Sequence, residues 1–227
     1  MATTTQRGKT VSSLLDSYPL LLTGAMTTLY IWLCTILISC VTGVLFGLLR
    51  SKPLRVPVLS TALDGITMIL RGVPFYVQLL IYYFALPELL PINLTALHAG
   101  VFSLGLCSAA FVSQIICGGI QALGKNPWEA CYVLGYSTPQ TLRKVILPQT
   151  FRVVLPMMIG EMDQLLKSTA IISSLGVLEL TRAGINIINS EMNPIPVYGA
   201  MALIYLILSF ALNAGGSLLQ RKYHVPL

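Results

Sequence analysis

Long apolar runs broken by short polar clusters set the pattern of this chain. Crossing a hydrocarbon core of roughly 30 Å takes about 20 apolar helical residues. Five segments meet that requirement, at about 18–49, 56–86, 92–123, 153–175 and 197–219. The stretch 92–123 contains no Asp, Glu, Lys or Arg, whereas charged residues interrupt the second and fourth segments. The pattern predicts an all-α integral membrane protein with five transmembrane helices. One long polar connection, 121–152, separates the third and fourth spans. The connection after the second span is short and bounded by Pro87 and Pro91, and the one at about 176–196 carries Asn186, Asn189 and Asn193. No internal repeat or low-complexity tract is visible.

Composition narrows the class further. Of 227 residues, 55% are hydrophobic and 10% charged, and the mean hydropathy is +0.79. A soluble domain carries roughly a quarter charged residues, so an ordinary cytosolic enzyme is excluded. The net charge of +6 does not point to nucleic acid, because the basic residues fall at the ends of apolar stretches, where membrane topology places them. The cysteines have no metal-type spacing, and Cys34, Cys40, Cys107 and Cys117 lie in apolar stretches as small packing residues. Arg7 and Lys9 precede a charge-free run, 17–49, too long for a signal peptide and better suited to an uncleaved first span.

An odd number of spans puts the termini on opposite sides. With the C-terminus cytoplasmic, nine basic residues lie inside: Arg50, Lys52, Arg55, Lys125, Arg143, Lys144, Arg152, Arg221 and Lys222. Three lie outside, Arg7, Lys9 and Arg182. The positive-inside rule therefore predicts an external N-terminus. The expected organisation is an external tail over 1–17, a transmembrane domain over 18–220 with a cytoplasmic loop at about 121–152, and a cytoplasmic tail over 221–227.

The punctuation of that loop predicts two short helices. Asn126 is expected to cap the first, with Pro127 at its first position and Glu129 reaching back to the Asn126 amide. Gly135 suits the left-handed residue that ends it. Thr138 before Pro139 is expected to cap the second, which should stop near Pro148. A rigid element of this kind fits docking on a cytoplasmic partner; a stiff connector between spans is the alternative.

The run Glu129-Ala130-Cys131, three residues, Gly135, nine residues, Val145, one residue, Leu147-Pro148 resembles the EAA loop of ATP-binding-cassette (ABC) importer permeases, Glu-Ala-Ala-x3-Gly-x9-Ile-x-Leu-Pro. Further elements resemble the polar amino acid subfamily. Arg71-Gly72-Val73-Pro74 is similar to its Arg-Gly-Thr-Pro. The stretch from Ala109-Ala110-Phe111 to Gly118-Gly119-Ile120 is similar to its Ala-Ala-Tyr-x-Ala-Glu-x-x-Arg-Gly-Gly-Ile, with Gln114 and Cys117 in place of Glu and Arg. Leu147-Pro148-Gln149 and Lys167-Ser168-Thr169 match its Leu-Pro-Gln and, imperfectly, its Lys-Asp-Thr-Ser.

The resemblance implies a type I (MetI-like) permease bundle in the bacterial plasma membrane. Such a subunit is not an enzyme and needs no cofactor, because ATP is bound by a cytoplasmic ABC ATPase subunit. The chain itself has no Gly-x-x-x-x-Gly-Lys-Ser/Thr phosphate loop. The implied partners are that ATPase, a second permease subunit (homo- or heterodimer), a periplasmic or lipid-anchored solute-binding protein, a polar amino acid and membrane lipid. Glu129, Ala130, Gly135, Leu147 and Pro148 would couple to the ATPase.

Ionisable residues within spans are costly and mark functional or internal contacts. Arg71 suits the carboxylate of an amino acid, with an internal pair to Asp64 or to a span-four acid as the alternative. Asp163 and Lys167 are spaced for a helical ion pair, and Lys167 also belongs to the matched element. Glu161, without a basic residue on its own face, is the candidate for the ammonium group. Gln114 either hydrogen-bonds substrate or makes a polar helix–helix contact. His98, Trp32, Tyr82, Tyr83 and Tyr198 fit interface or packing roles. Two other functions remain: an ion-coupled secondary transporter using Glu161 or Asp163, which commonly needs repeats, and a non-transporting membrane assembly factor.

Overall fold

Backbone amides inside a bilayer must find partners within their own segment, and only helices and closed barrels achieve this. The computed structural model of the chain describes residues 18–51 and 54–223 in full and residues 2–17 as backbone alone. Among these described residues every regular element is helical. Lys52, the side chains of Arg7 and Lys9, and the end of the expected 221–227 tail lie outside the described residues.

The helices are α1 (Ala2–Arg50), α2 (Pro57–Gly72), α3 (Phe75–Leu89), α4 (Ala96–Ala122), α5 (Asn126–Val133), α6 (Thr138–Leu175), α7 (Leu180–Glu191) and α8 (Pro194–Lys222). From Tyr18 onward α1 is long and apolar enough to cross a membrane, as are α4, α6 and α8. The second expected span is broken into α2 and α3, which are bent by 103° and make a fifth crossing if the pair counts as one. Pro74 causes the break: it offers no N–H and drives the residue before it out of helical conformation. Val73 accordingly lies at φ −86° and ψ 130°.

The helix that begins in the polar connection does not stop near Pro148. It passes through a π-helical stretch, Leu142–Ile146, and continues to a 3-10 turn at Thr169–Leu175. A widened turn immediately before Pro148 makes room for a ring that would otherwise meet the carbonyl four residues back. The connection 176–196 likewise contains an element the sequence did not announce, α7.

The backbone divides into two compact units. One takes residues Met1–Thr35, Tyr76–Leu104 and Gln164–Ala211, the other Ile36–Phe75, Gly105–Asp163 and Leu212–Leu227. Leu21, Ala25, Leu180, Ile187, Val197 and Met201 form the core of the first. Val112, Ile116, Ile120, Ile146 and Val154 form that of the second. Lipid tails are as apolar as leucine, so helices in a membrane gain by close approach rather than by escaping water. At Gly43 a Cβ would lie 2.7 Å from the Val112 Cβ and 2.8 Å from the Ala109 carbonyl oxygen, and at Gly47 2.7 Å from the Ile116 Cβ. These two glycines let α1 and α4 pack almost backbone to backbone. Cys107 and Cys117 are buried, Cys34 and Cys40 half-buried, and all four are free thiols.

Gly43→Ala should therefore destabilise the protein by about 1–3 kcal/mol, the usual cost of overpacking. Gly65 in α2 faces open space, with nothing within 4 Å of where a methyl group would sit. Gly65→Ala should accordingly be neutral or gain up to about 1 kcal/mol of helix propensity. Thermal unfolding of the detergent-purified variants measures both, and the reverse ranking would contradict this packing.

Candidate functional site

The second unit gathers charge around the end of α1. Arg50, the last residue of α1, has a side chain only 9% exposed. Its Nε donates to Asp64 Oδ1 at 2.7 Å, its Nη1 to Ser113 Oγ at 2.8 Å and its Nη2 to Gln114 Oε1 at 3.3 Å. Arg55 Nη2 donates to the other oxygen of Asp64 at 3.2 Å. Arg71, at the end of α2, donates through Nη1 to the same Gln114 Oε1 at 3.2 Å, and its guanidinium lies 5.6 Å from the centre of the Phe111 ring.

The structure thus brings Arg71 and Gln114 together, and both are exposed. Arg71 does not pair with Asp64, whose two oxygens go to Arg50 and Arg55. Glu161, half-buried in α6, accepts from Ser108 Oγ at 2.6 Å, and Ser108 in turn accepts from Ser39 Oγ at 2.8 Å. Lys167 is exposed and belongs to the first unit. Among the described residues no three His, Cys, Asp or Glu side chains gather as metal ligands.

Two side chains that join several helices are not singled out by the sequence. Arg50 reads there as an ordinary charge flanking a span, although a lone acid, Asp64, follows it in the next one. Glu179 falls in a connection, although it is an acid within the apolar stretch Leu178–Leu180. In the first unit it is fully buried. Its Oε1 accepts from the Arg182 amide at 2.8 Å, capping α7, while its Oε2 accepts from Tyr205 OH at 3.0 Å and Thr28 Oγ1 at 3.4 Å. Thr28 Oγ1 accepts in turn from the Leu180 amide at 3.1 Å. One carboxyl therefore ties α1, α7 and α8. Burial pushes it above the ordinary glutamate range, and hydrogen bonds from backbone amides and the Tyr205 hydroxyl partly offset that rise.

The polar connection contains the two helices expected, each displaced by one residue at its start. Lys125, not Asn126, is the residue before α5, and Ser137, not Thr138, is the one before α6. The Ser137 amide donates to Gln140 Oε1 at 3.0 Å, half of a capping box. Gly135 takes the left-handed conformation expected of it, at φ +77°, with the Tyr136 amide donating to the Cys131 carbonyl at 3.0 Å. Glu129 does not reach back to the Asn126 amide; it is exposed and lines a groove of about 490 Å³ with Trp128, Tyr132 and Tyr136. Ala130 and Pro148 are exposed and Leu147 half-buried. Tyr132, Val133 and Leu134 are 82%, 84% and 72% exposed, an apolar tip of the sort that marks an interaction surface. Outside these sites His98 Nδ1 meets Thr95 Oγ1 at 2.9 Å, and Tyr82 packs edge-on against Phe102.

Comparison with known proteins places these features in company. The family described as binding-protein-dependent transport system inner membrane component matches residues 39–225. The arginine transport system permease protein ArtQ of Bacillus subtilis is 32% identical over 93% of this chain and 95% of its own length. The glutamate/aspartate import permease protein GltJ of Escherichia coli is 28% identical over 89% of this chain and 87% of its own. Among solved structures, a crystal structure of an amino acid ABC transporter with histidines superposes with a TM-score of 0.84 at 30% identity, covering 92% of this chain and 97% of that one. The MetNI methionine ABC transporter in an inward-facing conformation superposes with a TM-score of 0.76 at 20% identity, over 90% and 96%, a likeness of fold.

The Glu179 carboxyl gives a pH test. Because its folded value lies above the ordinary 4.5, its contribution to stability is fully present below that value and is lost as pH rises through the raised one. Thermal midpoints of the unaltered protein should fall over that window, and Glu179→Gln should flatten the slope. Glu179→Ala leaves the Arg182 amide without its side-chain acceptor, at about 1–3 kcal/mol, while the Tyr205 hydroxyl keeps Thr181 Oγ1 at 3.0 Å.

Proposed function

The chain belongs to the family of binding-protein-dependent transport system inner membrane components, and from that premise we propose how its parts divide the work of import. It is the membrane-spanning permease subunit of an amino acid ABC importer, a multi-pass protein of the bacterial plasma membrane and a transport subunit rather than an enzyme. The family operates with a separate ATPase and an external binding protein.

The observation that carries the finer reading is the rigid element α5–α6. It presents an exposed carboxylate, an apolar tip and a glycine-terminated helix, and it is continuous with a crossing helix. We assign it to the cytoplasmic side, in agreement with the nine-to-three excess of basic residues and an external N-terminus. Glu129, Ala130 and Gly135 face the ATPase there, with Leu147 and Pro148 setting the line of α6. A second permease subunit, a copy of this chain or a homologue, completes the pathway, and a periplasmic or lipid-anchored binding protein delivers a polar amino acid. Arg71 with Gln114 takes the carboxylate end of that substrate. The Glu161 carboxylate takes its ammonium group, and Lys167 is assigned to the pathway by the element it matches.

The test is ATP hydrolysis by the assembled complex, with and without loaded binding protein. Gly135→Val places a branched side chain in a left-handed conformation that costs roughly 1–2 kcal/mol, and it should cut the substrate-stimulated rate at least tenfold while the subunits still assemble. Glu129→Gln should lower it severalfold. Unchanged stimulation in both would remove α5 from the coupling role. Accumulation of an amino acid by this chain alone, under a proton gradient and without ATP, would replace the importer with a secondary transporter.

A further inference from the structure

Two donors facing one acceptor fix the sense of Gln114. Its Oε1 receives Arg50 Nη2 and Arg71 Nη1 at 3.3 and 3.2 Å. A guanidinium has no acceptor, so turning the amide over would set donors against donors. The amide's N–H₂ end is therefore the end Gln114 has left to offer, and the residue is exposed. Arg71 stands in a similar position. It is exposed, gives one N–H to Gln114 and one face to Phe111, and forms no ion pair among the described residues. The one carboxylate of the cluster, Asp64, is divided between Arg50 and Arg55. Three guanidinium groups thus share a single carboxylate.

We infer that Arg71 and Gln114 Nε2 form a carboxylate-reading pair, and that this subunit favours acidic amino acids over cationic ones. The inference rests on the importer reading above and names its substrate class. A planar guanidinium fork matches a carboxylate with two parallel hydrogen bonds, and the Gln114 amide adds a further donor on the same side. Neither group presents an acceptor to an ammonium or guanidinium. Every amino acid carries an α-carboxylate and an α-ammonium, the latter assigned above to Glu161, so the positive charge left when three guanidiniums face the Asp64 and Glu161 carboxylates decides between side chains. In a span of low dielectric it attracts a ligand of net charge −1 and repels one of +1. A carboxylate at position 114, as in the element that this stretch resembles, would cancel part of the surplus and offer a cation its acceptor; the amide does neither. Relatives named for arginine and for glutamate/aspartate are similarly distant, at 32% and 28% identity, so overall likeness does not select the substrate and the site must.

The experiment uses the complex of this chain with its partner permease and ATPase, without binding protein, and measures equilibrium binding of L-glutamate, L-glutamine and L-arginine. L-Glutamate should bind at least tenfold more tightly than L-arginine, with L-glutamine between them. Gln114→Glu should weaken L-glutamate at least tenfold and narrow or invert that preference, and Arg71→Lys, which keeps the charge but loses the fork, should weaken it severalfold. L-Arginine bound as tightly as L-glutamate by the unaltered complex, or a preference unmoved by Gln114→Glu, overturns the inference. If ATP-driven uptake persists in proteoliposomes alongside either result, only the carboxylate pair falls. If the full complex with binding protein drives no amino acid uptake, the importer reading falls as well.

Discussion

A guanidinium buried in a helical bundle must be answered by acceptors of the bundle itself, because a buried charge left unpaired is costly. Arg50 is that group, and much of the second unit is arranged around it. It ends α1, reaches Asp64 on α2, and reaches Ser113 and Gln114 on α4. Those bonds join three helices through one side chain whose planar donors fix direction as well as distance. By drawing one oxygen of Asp64 to itself, Arg50 leaves Arg71 to find another partner. By donating to Gln114 it settles which end of that amide Arg71 meets. The close passage of α1 over α4 at Gly43 and Gly47 brings the Arg50 end of α1 alongside that part of α4.

Much of this was legible along the chain. Apolar runs at 18–49, 92–123 and 197–219 correspond to crossing helices beginning or ending within a few residues of those limits, because length and hydropathy alone decide which segments leave water. Gly135 was legible for a different reason: only a residue without a Cβ sits easily at positive φ. The helix starts were each misplaced by one residue, and in the same sense. Both Pro127 and Pro139 sit one position deeper than expected, with Lys125 and Ser137 as the residues before the helices. The first four amides of any helix lack intrahelical partners, so proline is tolerated anywhere in that turn. It announces the turn without fixing the register.

What was not legible depends on pairs far apart in sequence. Arg50 and Gln114 are separated by 64 residues, and Thr28 and Glu179 by 151. A single charge at the end of an apolar run reads the same whether it faces the headgroups or turns inward. Asp64 was the available hint, since a lone acid in a span needs a nearby cation, and Arg50 and Arg55 both stand within 14 positions of it. Glu179 had a weaker signal, because a glutamate is not a favoured capping residue. It caps α7 because its longer side chain reaches back to the Arg182 amide while also serving Thr28 and Tyr205.

The continuity of α6 has a mechanical consequence. A coupling element is useful only if displacement at its tip reaches the part of the bundle that must move, and a loop hinged at both ends would absorb it. Proline at position 148 would ordinarily supply such a hinge. Here the π-helical turn at Leu142–Ile146 absorbs the steric conflict instead, and the helix passes through unbroken. From Ser137 to Glu161 the path along α6 is about 36 Å at 1.5 Å per residue. In the coupling role proposed above, a push on the tip at Tyr132–Leu134 would act through the Gly135 turn on the end of one continuous lever, which carries Glu161 and its Ser108 contact. The proline expected to end the second short helix is instead carried within that lever, as is Pro156 further along, and the widened turn before position 148 gives the first of these rings its room.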